Sequence, residues 1–478
     1  KNTKAIVCTH ASNVTGDGND IAQIGALCEK YNLYFILDAS QTAGAAGIDM
    51  EQDHISAICF TGHKGLFGPQ GTGGIALADG VCVKPLLSGG SGVHSFERKH
   101  PMELPAALEA GTLNGHGIAG LHAALDWIKK TGIAAIHEKE MALAEQFQRG
   151  IEIIPGIHLY GGEKRVAAIV SCNLADLDSA YVSDCLAEDY GIATRAGVHC
   201  SPLMHTHFVT ERQGMVRFSF SCFNTTEEVE KAVRAMQDIA AENRGKVTAY
   251  VGAGGKTSSI RKRAETLRAE GKRVLILTTT KMMVPQEQEI FAAYEQTGQE
   301  SVILDTGAVS KECRAAEKQL KERVQSVLDT YGCCVAGSLI PGTEKFGMLP
   351  EKLMEDLLYL ADEILIEADG SAHMPVKAPA EHEPVLFPYM DEVVIVMGAH
   401  AIGKPLQKVC HRVDYAKKIL KCDADKIVTA ADIRALAEQG YAIPIQKQFP
   451  WMKISKVTGK DIKLCLTAEK KDKVRDKQ

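Results

Sequence analysis

Lys64 follows an apolar, strand-like run, Ile55–Phe60, in the segment TGHKG, and Asp38 follows another, Phe35–Leu37, in DASQ. Open α/β sheets hold ligands at the carboxyl ends of their strands. A lysine at one such end and a carboxylate at another suit pyridoxal 5'-phosphate (PLP). The lysine forms an imine with the cofactor, and the carboxylate partners its pyridinium nitrogen so that the ring can take up electrons. Thr61 and His63, a hydroxyl and a ring nitrogen beside the lysine, suit the phosphate, and Gln41 follows Asp38. The plain alternative is a surface lysine and a helix-capping aspartate. The pairing of Asp-x-x-Gln with Thr-x-His-Lys, each after an apolar strand, weighs against it.

Cys200 lies in the Gly/Pro/His loop ATRAGVHCSPLMH with Arg195 close by, and Arg217 stands in the strand-like MVRFSFS that follows. A free cysteine is usually a small core hydrophobe, a reading that fits most of the others. Cations beside a thiol favour the nucleophilic thiolate. His10 and Asn13, in THASNVTG, end the strand Ala5–Thr9, although Asn13 also reads as a plain turn residue. Thr112, in EAGTLNGHG, precedes a helix and can present a hydroxyl and N–H groups to an anion or merely cap the helix.

The second half opens on VTAYVGAGGKTSS. An apolar strand enters a glycine-rich turn (Gly252, Gly254, Gly255), and Lys256, Thr257 and Ser258 begin a helix. Such a turn cradles phosphates, with the lysine meeting their charge and a hydroxyl holding Mg²⁺. Tyr250 occupies the first glycine position of the usual phosphate-loop pattern, and the shorter turn looks more like that of Mur-type ligases. A glycine turn that only packs a helix on a sheet is the alternative. Glu367 and Asp369 end a later strand, Glu363–Glu367, and suit Mg²⁺ directly or through water, or cap the next turn. His373, Lys377, His382 and Glu383 read as exposed and lack metal-ligand spacing.

Around these residues the chain alternates strands and amphipathic helices. Ile21–Tyr31 crosses between the Ala5 and Phe35 strands, which implies a parallel, buried sheet. Helices are expected near Gly117–Lys130 and Ile133–Ile153, followed by an α+β unit from Val166. The fold class is α/β: a parallel-rich sheet with a small α+β part, then a P-loop-like α/β domain. The polar stretch Ala240–Lys246 places a boundary near Gly245, giving domains 1–245 and 246–468 and a charged tail, 469–478. The 478 residues carry a net charge of −6, which argues against nucleic acid as the main partner. Fourteen cysteines without a C-x-x-C suit reduced thiols in the cytoplasm. No apolar run approaches the roughly 20 residues that span a bilayer. The chain starts at Lys1 and enters a strand almost at once, which reads as a fragment whose beginning is missing.

Over residues 1 to 243 these motifs together resemble the cysteine desulfurase and selenocysteine lyase group of the class V aminotransferase-like fold. The resemblance implies PLP fold type I, with Lys64 and Cys200 catalytic and His10, Asn13, Asp38, Gln41, Thr61 and His63 around the cofactor. Arg195 and Arg217 would take the carboxylate of L-cysteine or L-selenocysteine. Thr112 would reach the partner subunit's cofactor phosphate in a homodimer. It also implies a segment ahead of Ala5 that supplies a stacking ring and a phosphate-binding turn. GAGGKTS, EADGSAHMPVKAPAEHEPV and MGAHAIGKPL resemble the YqeC family, linked to selenium cofactor biosynthesis for selenium-dependent molybdenum hydroxylases. The two halves suggest a lyase that frees sulfur or selenium, joined to an ATP- or GTP-binding maturation factor with Mg²⁺ that serves such a client. Two rivals stand beside this: a class V transaminase in which Cys200 is incidental, and a non-enzymatic, nucleotide-switched accessory protein.

Overall fold

The computed structural model describes residues 2–90, 92, 96–162, 164–294 and 311–458, so the charged stretch 469–478 lies outside the described residues. The chain divides into two compact units, Lys1–Ile239 and Ala240–Gln478.

The first unit runs β1 (Ala5–Thr9), α1 (Ile21–Tyr31), β2 (Tyr34–Asp38), β3 (Ala57–Thr61), β4 (Gly73–Leu77), α2 (Gly115–Thr131) and α3 (Ile133–Ile151). It continues through β5 (Ile157–Tyr160), β6 (Ile169–Leu174), α4 (Ser179–Tyr190), α5 (Pro202–Phe208), β7 (Val216–Ser219) and α6 (Thr226–Asn243), in which the division falls. β1, β2 and β3 pair in parallel and β4 closes the row antiparallel, so Thr9, Asp38 and Thr61 end neighbouring strands on one side. Asp20 caps α1 by accepting the Gln23 N–H, and Asn32 ends it in the left-handed region. The helix then packs Ile21 and Cys28 on Phe35, Leu37 and Ile55. Burying a side chain such as Phe35 or Leu37 is worth about 2–3 kcal/mol.

The expected sheet buried on both faces is not what the described residues form. β2 alternates buried Phe35 and Leu37 with exposed Tyr34, and Val7 on β1 is 68% exposed. α1 covers one face only, and alternation is the signature of a half-buried sheet. β5, β6 and β7 make a separate antiparallel sheet that carries Arg217.

The second unit runs β8 (Lys246–Gly252), α7 (Lys256–Ala269), β9 (Val274–Thr278), β10 (Met282–Met283), β11 (Phe291–Tyr294), α8 (Lys311–Tyr331), β12 (Cys333–Leu339) and β13 (Lys345–Gly347). Then come α9 (Glu351–Leu357), β14 (Glu363–Glu367), β15 (Val376–Lys377), β16 (Glu392–Met397), α10 (Leu406–Val409) and β17 (Cys410–His411). α11 (Val413–Leu420), α12 (Ala430–Ala437), α13 (Ile443–Gln448) and β18 (Lys453–Thr458) end the described chain. The sheet order β12-β9-β14-β8-β16-β18 is parallel throughout. β14 is buried at every position and β8 at all but Lys246, as near-continuous apolar runs in a doubly covered sheet should be. The strand expected over Val393–Leu406 stops at Met397, because Gly398 turns the chain into a short 3₁₀ turn at Ala399–Ala401. Arg244 donates to both oxygens of Asp391, which also accepts the Val247 N–H and so fixes the start of β8. Among the described residues no helix is long and apolar enough to cross a membrane.

Candidate active site

Asp38 sits exposed at the end of β2, where Ser40 donates to its Oδ1 from both backbone and hydroxyl, at 2.9 and 2.5 Å. Among the described residues its Oδ2 carries no hydrogen bond. From the end of β3, Thr61 Oγ1 meets His63 Nδ1 at 2.7 Å, and Lys64 follows on the turn. Burial lowers the pKa of Lys64; Asp38 and Cys200 act against that, while Arg217 and Arg195 act with it. Groups far apart in sequence thus lie close enough to feel one another, which is the convergence that the motifs require. The ammonium has no hydrogen-bond partner among the described residues. A lysine that deprotonates more readily and is unpaired can form an imine.

The Cys200 turn is built from several directions. The Arg195 and Arg217 backbones exchange hydrogen bonds at 3.2 and 2.9 Å, tying the turn to β7. His199 is 1% exposed, bonded through Nε2 to Arg195 O at 2.9 Å and stacked on His205. Its imidazole pKa is lowered to about 4, first by burial and further by Arg217, His205 and Arg195, with the bond to Arg195 O opposing. His199 and Cys200 both have left-handed backbone, φ 53° and 58°, which costs roughly 1–2 kcal/mol per non-glycine residue. Cys200 emerges exposed, with Arg195 Nη2 donating to its Sγ at 3.4 Å.

Arg217 donates from Nη1 to Asn13 O at 2.9 Å, while its Nε is buried without a partner among the described residues. An orphaned guanidinium N–H calls for an acceptor, and a substrate carboxylate fits. Asn13 is here too, its amide held by the loop around Cys200. Gln41 is half-buried, three residues beyond Asp38. The His10 backbone N–H donates to Asp38 O at 2.9 Å, but its ring is engaged elsewhere. That ring is 5% exposed, bonded to Thr42 Oγ1 at 2.9 Å, and the charges acting on it are those of Asp53 and His137. Thr112 is exposed, on the loop ahead of α2.

In the second unit the glycine turn leaves β8 at a switch point: β14 and β9 lie to one side, β16 and β18 to the other. Ligands bind at such points. A Cβ on Gly252 would meet Val396 O at 2.2 Å, and one on Gly254 would meet Pro375 O at 2.3 Å, so only glycine lets the turn approach these loops. Lys256 is 4% exposed and donates to Gly252 O at 2.7 Å; Thr257 Oγ1 donates to Glu367 at 3.0 Å. Thr257 and Ser258 are exposed at the start of α7. Burial lowers the pKa of Lys256 and raises that of Glu367, each opposed by the other's charge.

Lys377 and Glu383 are not the exposed pair that the sequence suggests. Lys377 is fully buried, bonded to Asp369 and Gly370 O and 2.8 Å from Glu383, which Arg412 also pairs at 2.9 Å. Mutual neutralisation lets these charges leave water. Asp369 Oδ2 also accepts from Gly252 N at 3.1 Å and from Tyr441 at 2.7 Å, which commits this carboxylate to protein partners. His373 and His382 are exposed as expected. Among the described residues no cluster of His, Cys, Asp or Glu is arranged to hold a metal ion. Sequence reading missed Tyr441 and Arg412 because nothing near them in the chain marks the distant acids they serve.

Residues 1–232 match the family of class-V aminotransferases, and residues 248–414 match the YqeC protein family. A probable cysteine desulfurase of Methanothermobacter thermautotrophicus is 33% identical over 243 residues, 50% of this chain and 61% of that protein. A cysteine desulfurase of Escherichia coli (strain SE11) is 32% identical over 243 residues, 50% of this chain and 58% of that protein. An apo cysteine desulfurase structure from Thermococcus onnurineus NA1 aligns at a TM-score of 0.47 and 29% identity, covering 50% of this chain and 60% of that one. The chain spans about three fifths of the length of the curated relatives it matches. Two families thus match this chain in succession, class-V aminotransferases over residues 1–232 and YqeC proteins over residues 248–414.

Proposed function

We propose that the first part, assigned to residues 1–245, is a PLP-dependent cysteine desulfurase or selenocysteine lyase. The second, residues 246–468, is then a nucleotide-binding maturation factor for a selenium-dependent molybdenum hydroxylase. The observation that carries the first reading is the convergence of Lys64, Asp38, Arg195, Arg217 and Cys200. When bound, PLP supplies an electron sink for the amino acid's bonds. Asp38 Oδ2 would hold the proton on the ring nitrogen, and Thr61 and His63 would hold the phosphate. Arg217, with its orphaned Nε, binds the carboxylate of L-cysteine or L-selenocysteine. Lys64 would anchor the cofactor and, once the substrate amine had displaced it, would take and return the substrate's proton. The Cys200 thiolate attacks the substrate sulfur or selenium; the carbon–sulfur or carbon–selenium bond breaks, alanine leaves, and the chalcogen stays on Cys200 for an acceptor. The contact of Arg195 with Sγ favours this chemistry over a transaminase.

Thr112 is assigned to the partner subunit's phosphate site in a homodimer, and the protein to the cytoplasm. In the second part, the turn Gly252–Gly255 with Lys256 is assigned to the phosphates of ATP or GTP. Thr257 and Glu367 are assigned to its Mg²⁺, and the sheet order supports this P-loop-like reading.

The test is the visible spectrum of the chain with PLP beside that of Lys64→Ala. A lysine-bound cofactor band in the parent alone, with cysteine-dependent alanine release lost in Cys200→Ala, is the expected result. Alanine release that survives Cys200→Ala would overturn the persulfide chemistry. For the second part, Lys256→Ala should weaken nucleotide binding at least tenfold; unchanged binding would refute the phosphate assignment.

A further inference from the structure

Asn13 follows β1 and the His199–Ser201 turn precedes α5, yet both ends of the Asn13 carboxamide are engaged by that turn. Nδ2 donates to His199 O at 2.7 Å, and Oδ1 accepts from Ser201 Oγ at 2.8 Å. A carbonyl oxygen only accepts, so the His199 contact fixes which end of the amide is nitrogen. The Asn13 carbonyl is itself held by Arg217 Nη1. The clamp therefore brackets Cys200, the residue between its two anchor points. Consecutive left-handed residues that are not glycine need outside support to stay so. If the turn relaxed, Sγ would leave the Arg195 guanidinium that meets it at 3.4 Å.

We propose that Asn13 is a positioning residue for Cys200: its carboxamide holds the His199–Ser201 turn so that the thiol stays against Arg195. Nδ2 keeps a second hydrogen, so the same side chain can hold the turn and a cofactor or substrate oxygen together. The inference takes its catalytic meaning from the desulfurase reading. Its test needs neither cofactor nor amino acid, so the two can fail separately.

The full chain is treated with iodoacetamide at neutral pH, and alkylation of Cys200 is followed by peptide mass spectrometry against exposed Cys82 in the same sample. Asn13→Ala, which removes both side-chain hydrogen bonds, should slow Cys200 about fivefold, the population shift that two bonds at the weak end of the usual range give together. Ser201→Ala should slow it about twofold, and Ser201→Thr, which keeps the hydroxyl, should match the parent. Asn13 is proposed to act through the Arg195 contact, so Asn13→Ala combined with Arg195→Met should be no slower than Arg195→Met alone. An Asn13→Ala rate equal to the parent's overturns the proposal, as do independent, multiplying effects in the combined variant. If Asn13→Ala does not fold, the Ser201 pair decides: Ala and Thr behaving alike refutes the clamp.

Discussion

Lys377 gives the sharpest energetic test of the second unit. Lys377 and Asp369 are both fully buried, and Glu383 and Arg412 complete a neutral set of two cations and two carboxylates. Lys377→Met keeps the length of the side chain but strands a buried carboxylate, which costs about 3–5 kcal/mol. Adding Asp369→Asn removes the stranded charge while keeping an acceptor for the Gly252 N–H and the Tyr441 hydroxyl. The double variant should therefore regain about 2 kcal/mol. The chain's two tryptophans, Trp127 and Trp451, fall one in each unit, so a Trp127→Phe background reports the second unit alone. With a urea slope of about 3 kcal/mol per molar for a unit of this size, Lys377→Met should lower the Trp451 midpoint by about 1–1.7 M. A single-variant loss under about 1 kcal/mol would refute the reasoning, and so would a double variant worse than the single one.

Two further predictions concern the first unit. The buried, neutral His199 should make it acid-sensitive: unfolded chain binds a proton near pH 6.5, whereas folded His199 does so only near about 4. Stability from this group is thus present above pH 6.5 and lost as pH falls towards 4, by about 2 kcal/mol between pH 7.5 and 5. Urea midpoints read from Trp127 in a Trp451→Phe background should show a shallower pH slope in His199→Gln; an unchanged slope would rule out this source. Alanine normally outdoes glycine in a helix by about 1 kcal/mol, yet Gly25→Ala in α1 should destabilise, because its Cβ would lie 1.8 Å from Asp53 O. A raised midpoint would contradict that packing.

Much was legible in the sequence where local pattern and function coincide. The 3.6-residue spacing of Ile21–Tyr31 gives α1 to the residue, and Ala5–Thr9 gives β1. The glycine turn before Lys256 was readable because strand, turn and helix follow without interruption. The Lys377 network was not, since a lysine is buried only by virtue of acids that the fold delivers from elsewhere. Nor was the Asn13 clamp, whose partners stand 186 and 188 positions away. The open face of the first sheet was also missed, because alternation in a five-residue strand such as β2 is too short to separate half-buried from buried.

The order of the second sheet also bears on how the chain is made. β8 and β9 do not pair with each other; each pairs with β14, which inserts between them in matching register. A ribosome therefore releases both strands, with α7 between them, while their common partner is still unsynthesised. Until residue 367 emerges, two apolar strands keep open edges, and the glycine turn lacks the Asp369 carboxylate that holds its first N–H. Open edges of this kind are the species that aggregate or engage chaperones during synthesis. Codon choice and growth temperature across the stretch between β9 and β14 thus become determinants of the yield of native protein, independent of its final stability.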